Sequence, residues 1–452
     1  MNNNTEPNTP FLQLSGIRKT FRIARTGLEV LKGVSLQAET NEISDDYTLK
    51  EVVILSRHNI RAPLSTTGSA LDIATPHEWY EWSSAASELS LRGGVLETEM
   101  GQYFRKWVVS EGLMEENAHP SETDVRFYAN AKQRTIATAQ YFSSGFLPVA
   151  NVRIETHQEY DKMDPVFTPQ LTFVNDEYRK DAEAEMEKLI PDLSKEYALL
   201  SDVIDLKESD GYKSGEVTDF VNGDTELILE NNAEPGSKGS LKTATSISDA
   251  LVLQYYEEAD PVKAAFGHEL SDDEWIALSH IKDVYVDVLY SAPSIAINVA
   301  HPLLEVIDSE LERKDRKFTF LCGHDSNLGS VLAALGVADY ELDHAIERKT
   351  PIGSKLVFEK WADANGKEFI RLRIVYQSTD QLRTAPLLSL DNPPMSYVFS
   401  IKDLKANEDG LYPYDEFNRY LDEKIDAYDK LKEKYGITTP APVTTVPNTG
   451  VE

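Results

Sequence analysis

Three short apolar runs each end on a cluster of chemically active side chains. EVVILS at 51–56 stops at Arg57-His58, DVRFYA at 124–129 stops at Asn130, and KFTFLC at 317–322 stops at Gly323-His324-Asp325. Such runs have the length and apolarity of buried strands, and each gives way to a helix-period pattern. Leu96, Met100, Tyr103 and Trp107 recur at helical spacing after the first, and Gly112 can end that helix. Asn130 suits the N-cap of a helix that carries Arg134 in its first turn. After the third run, 326–335 reads as a helix that Gly336 can close. Strand–helix alternation confines the chain to the α/β class: a mostly parallel central sheet flanked by helices. The sheet is expected from about 45–160 and 310–435, with a helical cap inserted at 161–309. Within the cap, 245–258 reads as a helix, and Ser271 and Glu274 have capping-box spacing at the start of another. Asn365-Gly366, between apolar runs at 355–361 and 369–376, signals a closing hairpin.

In sheets of this kind ligands bind beyond the carboxyl ends of the strands. Those ends deliver Arg57, His58 and Arg61 from the first strand, Arg134 from the second, and His324 and Asp325 from the third. Taken singly, each is ordinary: a surface arginine is solvated and a core histidine is satisfied by its neighbours. Together they form a cation cluster in a chain with 76 acidic and 45 basic side chains, a formal charge of −31. Such a cluster either meets an anionic ligand or is paired off by carboxylates. The chemistry it can perform is phosphoryl transfer. Guanidinium forks match phosphate oxygens and stay charged at working pH. An imidazole can attack phosphorus and carry the phosphoryl group covalently. A nearby carboxylic acid can protonate the leaving oxygen and then act as base toward water.

Composition excludes several other classes. A charge of −31 repels nucleic acid and anionic membranes. No stretch approaches the ~18 continuous apolar residues of a membrane span. Cys322 is the only cysteine, so there is no intramolecular disulfide and no CxxC pair, and the thiol is expected to be a small buried side chain. No HExxH or other spaced metal-ligand pattern occurs, and neither a metal nor a cofactor is expected.

The two ends differ from the middle. Residues 1–9 are polar and show no signal-peptide pattern. Residues 11–38 resemble the opening strands of ABC-transporter ATPases, yet no GxxxxGK followed by Ser or Thr comes after them. Residues 1–44 are therefore expected to be a separate segment without nucleotide chemistry. The end, TTPAPVTTVPNTGVE, makes 436–452 a Thr/Pro-rich tail unable to pack. VPNTG within it resembles the LPxTG signal for cell-wall attachment, departing at the first position and lacking the apolar tail and basic end that follow such signals.

RHxxRxP at 57–63 with His324-Asp325 resembles the histidine acid phosphatases, in the branch that uses an aspartic acid as proton donor. SRHNIRAPL, GGVLETEMGQYFR, YANAKQRTIATAQ, EPG, LVLQYYE, GHDSN and ERKTPIGSKLVF extend the resemblance over about 48–420, toward members that act on glucose 1-phosphate. The resemblance implies that His58 is the phosphate-accepting nucleophile and Asp325 the proton donor. It implies that Arg57, Arg61, Arg134 and His324 bind the phosphate, and that Glu234 of Glu234-Pro-Gly approaches the sugar hydroxyls. It also implies an extracytoplasmic location. Two departures stand out: Asn59 occupies the place that is glycine in most members, and the disulfides of the periplasmic members are missing.

The expected substrate is thus a small phosphomonoester. A phytase with the same catalytic residues is the alternative, disfavoured for a hexa-anion by the acidic cap residues Asp202, Asp205, Glu208, Asp210, Glu216 and Asp219. A non-catalytic surface-binding protein is the rival from another class, and the intact His58 and Asp325 argue against it.

Overall fold

The structure, a computed structural model, describes residues 12–23, 26–38, 43–64 and 69–437. The polar start at 1–9 and the VPNTG tail lie outside the described residues. The chain divides into two compact units at Asp45–Asp46. In the first, β1 (Leu12–Ile23) and β2 (Thr26–Ala38) pair as an antiparallel hairpin.

The second unit is built on one sheet. β3 (Tyr47–Arg57), β4 (Val125–Ala129) and β5 (Ile154–Glu155) come first. A separate small antiparallel pair, β6 (Glu226–Ile228) and β7 (Gly236–Lys238), lies in the inserted segment. β8 (Phe318–Gly323), β9 (Lys355–Asp363), β10 (Glu368–Tyr376) and β11 (Met395–Val398) complete the set used below. The strand order is β11-β10-β9-β3-β8-β4-β5. β3, β8, β4 and β5 run parallel, whereas β9, β10 and β11 join as an antiparallel meander. The β9–β10 turn needs Gly366, whose φ of +79° lies in the left-handed region.

Register aligns the strand ends. Arg57 stands opposite Gly323, and Ala129 stands opposite Cys322. The chain therefore leaves three neighbouring strands at nearly one level, which brings His58, Asn130 and His324 together.

Both faces of the sheet are covered, as its continuous apolar strands require. On one face Val53, Leu55 and Leu321 share a core with the helices Pro293–Leu311, Asp325–Ala334 and Tyr414–Lys434. On the other, Phe318 and Phe320 point to the helices Leu91–Ser110 and Gln133–Phe146, and Phe142 stacks on Phe320 at 4.3 Å between centroids. The expected cap limit at 309 falls inside Pro293–Leu311, whose Ala296, Ala300, Leu303 and Ile307 pack in the sheet core. The cap helices that matter for the site are Ser240–Glu257 and Asp272–Tyr290. The second opens with the expected Ser271/Glu274 capping box.

One local expectation is corrected. The residue at the N-cap of Gln133–Phe146 is Lys132, not Asn130. Asn130 is engaged elsewhere: its Oδ1 accepts from the Asp164 N–H at 2.9 Å, which turns its amide nitrogen toward His324.

Candidate active site

His58 follows the last residue of β3, and its backbone N–H donates to the Gly323 carbonyl at 3.0 Å. The side chain is buried, and Nδ1 lies 2.9 Å from the Asn59 carbonyl oxygen. A carbonyl can only accept, so the ring proton sits on Nδ1 and the Nε2 lone pair is left free. Burial, followed by the cations Arg134 and Arg61, holds the His58 pKa well below that of an ordinary imidazole. These surroundings favour the neutral, nucleophilic form of the ring.

His324 meets His58 edge-on, with ring centroids 5.5 Å apart. Asn130 Nδ2 donates to its Nε2 at 2.7 Å, which leaves the proton on Nδ1. Burial and Arg134 depress its pKa too, so it is a neutral hydrogen-bond donor.

The arginines divide into two kinds. Arg57 is fixed by protein partners: Nη1 donates to Glu347 Oε2 and to the Thr350 carbonyl, both at 2.5 Å, and Nη2 lies 3.4 Å from Asp325. Glu347 is itself held by the Tyr256 hydroxyl at 3.0 Å and the Ile352 N–H at 3.1 Å. Arg134 stands on the first turn of its helix, and burial together with Arg61 pushes its pKa down to about 10. A guanidinium so strained by its surroundings gains most from an anion. The Nε atoms of Arg57, Arg61 and Arg134 are buried without partners among the described residues.

Asp325 opens the helix after β8. Burial opposes its charge, but Lys282 and Arg57 outweigh burial and hold the carboxyl well below the usual range. Lys282 Nζ lies 3.1 Å from Asp325 Oδ2 and 2.5 Å from Asp249 Oδ1, and Asp249 Oδ2 accepts from Arg61 at 3.0 Å.

These groups line a cleft of about 430 Å³ between sheet and cap, within the usual range for small-molecule sites. His58, Arg61, Arg134, His324 and Asp325 are in its wall, and Arg57 is buried behind them. Glu234 lines the same cleft on its exposed side, where its Oε2 accepts from the Tyr290 hydroxyl at 3.4 Å. The fold thus brings His58, Arg57, Arg61, Arg134, His324, Asp325 and Glu234 to one place. The six acidic cap residues expected to repel a hexa-anion are not in the cleft wall, and the carboxylates that line it are Glu234, Asp249 and Asp325. Asp249, Lys282 and Glu347 escaped the sequence reading. Asp249 and Lys282 lie on cap helices, where charged residues look like solvated faces until the cap closes over the sheet, and Glu347 lies in the irregular segment before β9, which carries no periodic signal. Cys322 is buried and free, as expected.

A neutral imidazole with a free lone pair, ringed by guanidinium groups, defines a phosphoryl-transfer site. The family model for the histidine phosphatase superfamily (branch 2) matches residues 48–377, and the chain belongs to that family and is a phosphatase. It is 37% identical over 384 residues to a glucose-1-phosphatase of Providencia rettgeri, covering 83% of this chain and 92% of that one. It is likewise 37% identical over 412 residues to a glucose-1-phosphatase of Salmonella typhimurium, covering 90% and 99%. Among solved structures it resembles the apo form of a Hafnia alvei phytase, with a TM-score of 0.78 at 26% identity, covering 86% of this chain and 99% of that one.

Proposed function

We propose that the chain hydrolyses phosphomonoesters of small sugars, glucose 1-phosphate foremost, through a phosphohistidine at His58. Arg57, Arg61, Arg134 and His324 hold the phosphate, with charged and neutral donors aimed at its oxygens. His58 Nε2 attacks phosphorus, and Asp325 gives a proton to the departing sugar oxygen. Asp325 then takes the proton of the water that attacks the phosphohistidine. Glu234 and Ser237, whose buried hydroxyl is unpartnered among the described residues, face the sugar hydroxyls.

The charge inventory of the cleft carries this reading. Four cationic side chains, Arg61, Arg134, Lys242 and Lys282, face three carboxylates, Glu234, Asp249 and Asp325. That balance suits one phosphate attached to a neutral polyol and leaves a hexa-anion mostly uncompensated. The phytase reading draws on the structural likeness to the Hafnia alvei enzyme and on the identical chemistry it would need. Kinship with the glucose-1-phosphatases supports an extracytoplasmic location, and cell-wall attachment through the tail rests on VPNTG alone. No described helix is long and apolar enough to cross a membrane.

Initial rates on glucose 1-phosphate, phytate and an aryl phosphate in one buffer test the substrate. A phytate rate above that on glucose 1-phosphate would reverse the preference. Acid-quenched enzyme should carry an acid-labile, base-stable phosphate that His58→Ala abolishes along with turnover. Retention of more than a few per cent of activity in that variant would remove the covalent step.

A further inference from the structure

If Asp325 is the proton donor, its surroundings raise a question of supply. It is a carboxylate gripped by two cations, Arg57 Nη2 at 3.4 Å and Lys282 Nζ at 3.1 Å. Of the two, a guanidinium does not give up a proton in a protein, whereas an ammonium can. Lys282 reaches in from the cap helix Asp272–Tyr290, mostly buried, and Asp249 on Ser240–Glu257 anchors its Nζ at 2.5 Å. Asp249 is locked in turn by Arg61 at 3.0 Å. Arg61, Asp249, Lys282 and Asp325 thus form one continuous chain of contacts that ends where the leaving group departs.

We propose that Lys282 is a proton-relay residue acting through Asp325, supplying the proton that Asp325 passes to the leaving oxygen and recovering one during hydrolysis. The proposal rests on the donor role of Asp325 set out above. In the first half-reaction the N–P bond forms and the sugar P–O bond breaks. An Nζ–H of Lys282 passes its proton to the Asp325 carboxylate, leaving a neutral amine, and the sugar oxygen, which keeps the bonding pair, takes that proton from Asp325, which is again a carboxylate. In the second, water oxygen bonds to phosphorus and the N–P pair returns to His58 Nε2. Asp325 accepts the water proton and passes it back to the amine. No proton is gained or lost by the enzyme over the cycle. Arg57 faces Asp325 and Arg61 faces Asp249, so a further cation flanks each of the two carboxylates that Lys282 touches. Asp283, next along the same helix, also faces the ammonium.

A pair that merely ties cap to sheet would be served as well by arginine, and this separates the alternatives. Lys282→Arg, Lys282→Met and Asp325→Asn are compared in the full chain on glucose 1-phosphate and p-nitrophenyl phosphate. A nitrophenolate leaves unprotonated, so both Lys282 variants should lose at least about tenfold more kcat on the sugar phosphate than on the aryl phosphate. Their protons must come from solvent. Log kcat on glucose 1-phosphate should therefore fall by about one per pH unit between about pH 4 and 6 in the variants, while the wild type stays flat. Wild-type rates and a flat profile in Lys282→Arg would overturn the relay. If Lys282→Met fails to fold, Lys282→Arg, which keeps both ion pairs, carries the test. Asp325→Asn keeps the two ideas apart. Equal loss on both substrates there removes the donor reading, whereas selective loss there with none in Lys282→Arg removes only the relay.

Discussion

Asn59 sits where most of the family is expected to carry glycine, and its side chain supports the site from behind. Its carbonyl fixes the tautomer of His58, while its Oδ1 accepts from the Ile60 N–H at 2.8 Å. Its Nδ2 donates at 2.8 Å to Glu97 Oε1, which also takes the Lys355 ammonium at 2.8 Å. Glu97 and Lys355 are both completely buried, and Glu97 Oε2 has no partner among the described residues. Gly353 closes over the group with φ +69°, where a Cβ would stand 2.3 Å from Asn59 Nδ2. Asn59→Gly should therefore take a donor from an already under-satisfied buried carboxylate. We expect a loss of ~1–3 kcal/mol, read as a lower Tm. An unchanged Tm would mean that Lys355 alone satisfies Glu97. The departure at Asn59 is visible in the sequence, but its compensation is not, because Glu97 and Lys355 lie 258 positions apart.

At the scale of elements, the helices that cover one sheet face meet through glycines. A Cβ on Gly101 would stand 2.1 Å from the Phe142 carbonyl oxygen, and one on Gly145 would stand 2.1 Å from that of Thr98. Backbone cannot move aside as a side chain can. Gly101→Ala should separate Leu91–Ser110 from Gln133–Phe146 and destabilise by ~1–3 kcal/mol. Because Arg134 rides on the second helix, KM should rise with the fall in Tm. A variant with the Tm and KM of the wild type would show that the crossing has slack. This crossing is not legible in GGVLETEMGQYFR, since tight packing leaves no periodic signal. The strand ends are legible, because buried parallel strands read as apolar runs and stop where polar chemistry begins. Asn130 was legible as a helix cap and acts instead on His324, since the same carboxamide serves either purpose and only the position of Asp164 decides.

For the whole molecule, the charge balance and the carboxyls raised by burial act in the same direction. Burial, with Glu347 nearby, pushes Asp283 up to about 8, and burial pushes Asp308 up to about 6. Raised carboxyls contribute stability in full below their unfolded pKa of about 4, and lose it as pH climbs through the folded values. Asp249 and Glu155 are the opposite case. Lys282 and Arg61 outweigh burial at Asp249, the hydrogen bond from Arg126 leads at Glu155, and both fall to about 2. Their contribution is present above about pH 4 and disappears as pH falls through about 2. Self-repulsion from a formal charge of −31 also weakens as surface carboxylates take up protons. Stability should therefore peak near pH 4–5. Tm should be several degrees higher at about pH 5 than at about pH 8, and should drop again toward pH 2. Asp283→Asn keeps an oxygen for the Arg348 N–H that Asp283 accepts at 3.0 Å, and should raise Tm at pH 8 with little effect at pH 4. A wild-type Tm that climbs from pH 5 to pH 8 would refute the assignment of these shifts. If Asp283→Asn keeps the full pH dependence, the net charge alone is its cause.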